Sequence, residues 1–206
     1  MKRRCAKAAL AYVPQKGLIG LGGGETIQYL AEEIKESGRQ ISIVSPSPKT
    51  REICESLDIE VVDMKQAANL LVAFDGCDQV DRSLNALKSK GGIHTKEKIT
   101  ASMAKEYILL ADESKVVDQF DGKVPLVLEI VEEAAAFLIS ILEGEGYSCR
   151  MRSEKLMEVF LPDERSYKES SSWMKQLPGV IETSFFDHIA KKALVVTKDG
   201  TYVIER

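Results

Sequence analysis

The chain has 206 residues, 44% of them hydrophobic and 29% charged, the composition of a soluble globular protein long enough to bury a substantial core. A net charge of −4, with no dense Lys/Arg stripe beyond Lys2-Arg3-Arg4, argues against a nucleic-acid-binding surface. Four scattered cysteines and only two histidines, His94 and His188, argue against a disulfide framework and a His-based metal site, and the thiols read as reduced ones in a cytoplasmic protein.

The N-terminal MKRRCAKAALAYVPQKG superficially resembles a signal peptide, but Lys7 interrupts an apolar run that is too short for a secretory core. It predicts an amphipathic helix ending before Pro14. No other stretch is long and apolar enough to span a membrane. Gly17 to Gly22 then reads as a buried strand. In ETIQYLAEEIKESG, Ile27, Leu30, Ala31 and Ile34 fall at helical spacing, and Gly38 suits the C-terminal cap. Gln40 to Ser45 is the next strand. Ser47 fits an N-cap and Pro48 the first turn of the helix that follows. IEVVDM and LLVAF (Leu70 to Phe74) read as strands, Thr95 to Lys105 as a helix, and EYILLAD as another strand. Repeated strand–helix alternation predicts a Rossmann-like, doubly wound, mostly parallel sheet.

The pattern changes after Val124 to Ile130. A long apolar-faced helix in EEAAAFLISILEGEG is followed by two strands (YSCRMR and KLMEVFLP), a helix in SYKESSSWMKQL stopped by Pro178-Gly179, and a strand in VIETSFF. This predicts a small α+β, ferredoxin-like unit over 127–191. The Rossmann-like unit then comprises 1–126 and 192–206, with KALVVTKDGTYVIE returning as a hairpin around Asp199-Gly200.

Chemistry concentrates between Phe74 and Lys98. Asp75 and Asp78 follow LLVAF in a tight turn containing Gly76. Lys88 follows, and Glu97 lies just beyond a Gly91-Gly92 loop. These residues gather at the carboxyl end of a strand, where open α/β sheets place ligands. A carboxylate to move protons and an ammonium to hold a developing oxyanion are what acid–base chemistry beside a carbonyl requires.

Three motifs in order on this frame, DGCDQ (Asp75 to Gln79), KSKGGIHTKEK (Lys88 to Lys98) and ADESK (Ala111 to Lys115), resemble ribose-5-phosphate isomerase, type A. The resemblance runs almost end to end. It implies interconversion of ribose 5-phosphate and ribulose 5-phosphate through a cis-enediolate, with no metal or organic cofactor. It gives Glu97 the proton transfer between C1 and C2 and Lys88 the charged oxygen. Asp75 and Asp78 take sugar hydroxyls and ring opening, and Lys115 the phosphate end. The expected substrate contacts are Gly23, Gly24, Glu25, Thr26, Gly76, Gly91, Gly92 and Lys115. The partner is a small sugar phosphate, with no nucleic acid or membrane, and the expected assembly is a cytoplasmic homodimer or homotetramer.

The sequence departs from the family pattern at defined places. Where the family has GTGST, this chain has Gly22-Gly23-Gly24-Glu25-Thr26; the backbone N–H groups still suit an anion. Glu25 must turn away, pair with a lysine, or spoil phosphate binding. Gln79 replaces an acid, and Ser89-Lys90 replaces two glycines, so side chains there are expected to narrow or redirect the loop. His94 is expected as a solvated loop histidine. The alternatives these changes leave open are a relative acting on another phosphosugar and a non-catalytic sugar-phosphate-binding protein.

Overall fold

The computed structural model describes residues 1–206. In chain order the elements are α1 (Lys2–Ala9), β1 (Lys16–Leu21), α2 (Glu25–Glu36), β2 (Gln40–Val44), α3 (Pro48–Ser56), β3 (Glu60–Val61), β4 (Ala73–Gly76), β5 (Gln79–Asp81), β6 (Ala86–Leu87), α4 (His94–Met103), β7 (Tyr107–Asp112) and β8 (Val116–Val117). They continue with β9 (Leu126–Ile130), α5 (Ala135–Gly144), β10 (Ser148–Ser153), β11 (Leu156–Phe160), α6 (Tyr167–Met174), β12 (Val180–Thr183), β13 (Phe185–Phe186), β14 (Lys192–Val196) and β15 (Thr201–Glu205).

Seven strands form the main sheet in the order β15-β14-β7-β4-β1-β2-β3, parallel except for the final hairpin strand β15. From β1 the chain winds outward through β2 and β3, then crosses back to β4 and winds the other way. The reversal leaves a crevice at the carboxyl ends of β1 and β4, the place where doubly wound sheets bind ligands. Helix α2 packs on the sheet through Ile27, Leu30, Ala31 and Ile34, all buried, and each such burial of an isoleucine or leucine contributes about 1.5–3 kcal/mol. Gly38, at φ +68°, ends it in the left-handed conformation that glycine adopts without strain. At the start of α3, the Ser47 hydroxyl accepts from Thr50 N–H at 3.3 Å beside Pro48.

A second sheet, β10-β11-β9-β12, with α5 and α6, has the β–α–β–β–α–β order of a ferredoxin-like unit. Its core holds Leu126, Leu128, Ile130, Leu138, Leu142, Met157 and Val159. A third small sheet, β13-β6-β5-β8, lies beside the crevice.

Several local expectations shift. The strand expected over Leu70 to Phe74 is β4, Ala73–Gly76, so Asp75 lies within the strand and not in the turn after it. Leu70 makes only an isolated bridge to Ala104. Helix α4 ends at Met103 rather than Lys105. VIETSFF divides between two sheets as β12 and β13. The short strands β5, β6 and β8 were not expected, because two or three residues carry no readable period.

Candidate active site

Lys88 is the centre of the crevice. It follows β6, its backbone N–H donates to Ser184 O, and its side chain enters between two carboxylates. Nζ lies 3.0 Å from Asp75 Oδ2 and 3.2 Å from Glu97 Oε1, and it donates to the Gly76 carbonyl at 2.5 Å. All three charged side chains are buried: Asp75 is 2%, Lys88 6% and Glu97 5% exposed.

Asp75 is fixed on its other side by the backbone. Its Oδ1 accepts from Gly76 N–H at 2.8 Å and Gly23 N–H at 3.2 Å. Tyr107 OH donates to Oδ2 at 3.4 Å. Gly22 passes so close that a Cβ there would stand 2.0 Å from the carboxyl group, so only glycine lets β1 and β4 meet with Asp75 between them.

Glu97 lies in the helix expected over Thr95 to Lys105. It occupies the first turn of α4, with its N–H donating to Ile93 O at 3.0 Å. One ammonium serves two carboxylates, and this sets the charge states. Burial opposes the charge on Lys88, but Asp75 and Glu97 together outweigh it and hold the pKa above that of an ordinary lysine. For Glu97, burial is the largest influence. It raises the carboxyl to about 7, Asp75 adds to the rise, and Lys88 opposes it. The second carboxylate on a shared cation is the one that takes a proton near neutrality.

The remaining expected residues distribute as follows. Asp78 is turned toward the loop beyond Lys88. Its Oδ2 accepts from Ser89 N–H at 2.7 Å and Lys90 N–H at 2.9 Å, its Oδ1 lies 3.7 Å from Lys90 Nζ, and the residue lines the cavity. Gly23, Gly24, Glu25, Thr26, Gly76, Gly91 and Lys115 line the same cavity of about 590 Å³ as Asp75, Lys88 and Glu97. Lys115 is half-buried, with Nζ 3.9 Å from Asp112 Oδ2. Gly92 is not on this wall; at φ +65° it is pressed toward Leu156, whose Cδ1 would be 2.7 Å from an added Cβ.

Of the two residues that replace loop glycines, Lys90 lines the cavity and Ser89 does not. Ser89 points away from the cavity, donating to Pro125 O at 2.6 Å and meeting Ser184 Oγ at 2.9 Å. Arg152 on β10 donates to Ser89 O at 2.6 Å and braces the loop from outside. Glu25 neither turns away nor stays free: Oε2 is 2.5 Å from Lys2 Nζ, and Oε1 accepts from Tyr29 OH at 3.1 Å.

His94 is a correction. It is wholly buried, not solvated, and its Nε2 is 3.3 Å from the Glu182 carbonyl. Burial holds its pKa down at about 4, so the neutral ring donates through Nε2. The sequence reading missed Tyr107 and Phe186. Phe186 stacks on Tyr107 and lies 5.7 Å from Lys88 Nζ and 5.2 Å from Lys98 Nζ. The only sequence signal for either was an aromatic at a strand end. No three His, Cys, Asp or Glu side chains converge in a metal-binding group.

Comparison with known proteins converges on one family. Residues 42–200 match the family described as ribose 5-phosphate isomerase A (phosphoriboisomerase A). Among curated relatives, ribose-5-phosphate isomerase A of Neisseria meningitidis serogroup B is 33% identical, the match covering 99% of this chain and 95% of the relative. The crystal structure of ribose 5-phosphate isomerase A from Neisseria gonorrhoeae superposes with a TM-score of 0.92 at 31% identity, covering 99% of this chain and 95% of that one. A D-ribose-5-phosphate isomerase solved in complex with phospho-erythronic acid gives a TM-score of 0.90 at 29% identity, covering 100% and 97%. The Methanocaldococcus jannaschii ribose 5-phosphate isomerase A gives 0.88 at 27%, covering 100% and 98%.

Proposed function

This chain belongs to the ribose 5-phosphate isomerase A family and is an aldose–ketose isomerase, and we propose that Glu97, Lys88 and Asp75 are the groups that interconvert ribose 5-phosphate and ribulose 5-phosphate. The observation that carries this assignment is the single ammonium of Lys88 held between two buried carboxylates on the cavity wall.

In the open-chain aldose, removing the C2 proton moves an electron pair toward the C1 carbonyl and generates a cis-enediolate. Glu97, with a carboxyl pKa raised by burial to about 7, is ionised often enough to accept that proton and acidic enough to return it to C1, while the hydroxyl proton passes from O2 to O1 of the enediolate so that the ketone forms at C2. Lys88, fully charged, stands where the enediolate oxygen develops its charge, in a site dry enough to make that interaction strong. Asp75, whose two oxygens already take Gly76 N–H, Gly23 N–H, Tyr107 OH and the Lys88 ammonium, orients Lys88 toward the sugar. Asp78 offers Oδ1 to a hydroxyl while its other oxygen holds the Ser89–Lys90 backbone. At the far end, Gly23, Gly24 and Thr26 open α2, whose first turn has no side-chain cap, and its N–H groups receive the phosphate with Lys115 beside them.

The same proposal includes a homodimeric or homotetrameric assembly in the cytoplasm; the four free cysteines fit a reducing compartment. No helix is long and apolar enough to cross a membrane. The test is ketose formation from ribose 5-phosphate by the pure protein. Glu97→Gln should retain the fold and lose at least about 10²-fold to 10⁴-fold in kcat, the range for removal of a general base. Comparable turnover in folded Glu97→Gln would remove that residue from the proton transfer.

A further inference from the structure

Five lysines line the cavity: Lys2, Lys49, Lys88, Lys90 and Lys115. Four have carboxylate partners, Lys88 with Asp75 and Glu97, Lys90 with Asp78, Lys115 with Asp112 and Lys2 with Glu25. Lys49, next to Pro48 in the first turn of α3, has no carboxylate partner, yet it faces the same space. The Lys2–Glu25 bridge differs from the other pairs in its position. Glu25 is the first residue of α2, so its carboxylate lies at the helix N-terminus that is open to an anion, and both of its oxygens are engaged, one by Lys2 and one by Tyr29.

We propose that Glu25 is a specificity-determining counter-anion: it occupies Lys2 in the empty site, and an incoming phosphate monoester engages Lys49 and the α2 N-terminus and displaces the Glu25 carboxylate from Lys2. This rests on the reading of Gly23 to Thr26 as the phosphate cradle. The exchange is feasible because the bridge is half exposed, with 56% of the Lys2 and 50% of the Glu25 side chain open, and exposed pairs are weakly held. It is selective because the incoming group must out-compete a carboxylate. A phosphate monoester carries about −1.5 to −2 charge and three acceptor oxygens, so it gains by the exchange. A sugar acid, with the same single charge as Glu25, does not. The device therefore filters phosphorylated sugars from sugar acids of similar size.

The test is steady-state kinetics with ribose 5-phosphate and inorganic phosphate as inhibitor, on the wild-type chain, Glu25→Gln, Glu25→Ser and Lys49→Met. Two Glu25 variants are used so that a folding defect in one does not decide the outcome. Removing the competing carboxylate should lower both KM and the phosphate Ki by about fivefold, the factor carried by one unit charge about 4 Å away in water. Lys49→Met should raise both. If phosphate still competes with substrate but both Glu25 variants leave Ki unchanged or higher, or Lys49→Met leaves it unchanged, the displacement is refuted while the cradle stands. If phosphate does not compete with ribose 5-phosphate in the wild type, the cradle and the displacement both fail.

Discussion

Replacing Lys88 by methionine removes the charge and keeps most of the side-chain volume. Asp75 and Glu97 each lie within 3.2 Å of Lys88 Nζ, so the two carboxyl groups are at most about 6 Å apart. Two unit negative charges at that distance repel by about 3 kcal/mol at an effective dielectric near 20. Stripping one partner from a buried pair costs about 3–5 kcal/mol, in the same range. For a chain of this size each kcal/mol lowers Tm by about 2–4 °C, so a fall of about 6–20 °C is expected at pH 9, well above the value of about 7 that Glu97 has beside Lys88. The penalty depends on pH in a defined direction. The Glu97 carboxyl is already raised by burial and by Asp75, and Lys88 is the group that opposes the rise. Without Lys88 it rises further. A raised carboxyl contributes stability that is complete below its unfolded value and is lost as pH climbs through the folded one. The variant should therefore recover much of its deficit at pH 5, where Glu97 takes up its proton. Activity should fall about 10²-fold to 10³-fold, with the ascending limb of kcat/KM displaced to higher pH. Thermal unfolding at pH 5 and 9 together with a pH–rate profile measures all three. An equal Tm loss at both pH values would refute the shared-ammonium account.

Two further outcomes follow from the same geometry. Gly22→Ala introduces a Cβ where the Asp75 carboxyl group lies 2.0 Å away, so Asp75 or the β1–β4 contact must move; kcat/KM should fall at least about 10²-fold, and wild-type kinetics would show that the crevice is more pliant than described. His94, held by burial at about 4, contributes stability that is present above its ordinary value near 6.5 and is lost as pH falls toward 4; His94→Gln should flatten that acid limb in urea titrations, and an unchanged limb would assign it to other groups.

The sequence carried the charged groups of the candidate site better than it carried their surroundings. Asp75, Lys88 and Glu97 were readable because the motifs that hold them, DGCDQ and KSKGGIHTKEK, resemble those of a known family on a strand–helix frame, and the buried runs that make β1, β2 and β7 have a strong apolar pattern. His94 was misread because nothing local distinguishes it from a loop histidine. It is buried by β12, and the carbonyl it meets, that of Glu182, comes from a strand far along the chain. The fate of Glu25 was equally non-local, since its partner Lys2 belongs to a different helix. Ser89 looked obstructive in a glycine loop, yet its hydroxyl satisfies Pro125 O and Ser184 Oγ on the far side. In each case residue type was legible, but direction depended on which element closed over it.

That closure also explains how the site is assembled. Asp75 comes from β4, in the main sheet, and Glu97 from α4. Lys88 is placed by different neighbours. Its N–H donates to Ser184 O, Ser184 Oγ accepts from Val127 N–H in β9, and Arg152 of β10 holds the next carbonyl at Ser89. The carboxylates are thus set by the main sheet and its helix, while the backbone that carries the ammonium leaves the small sheet at β6 and is held there by the ferredoxin-like sheet. A buried ion cluster is weak evidence for stability on its own, because desolvation offsets attraction. Here it has a positional consequence instead: sliding one sheet against the other by 1 Å would lengthen contacts of 3.0 and 3.2 Å and leave buried charge unmatched. The Asp75–Lys88–Glu97 cluster therefore penalises any misalignment of the two sheets, which ties the geometry of the candidate site to the packing between them.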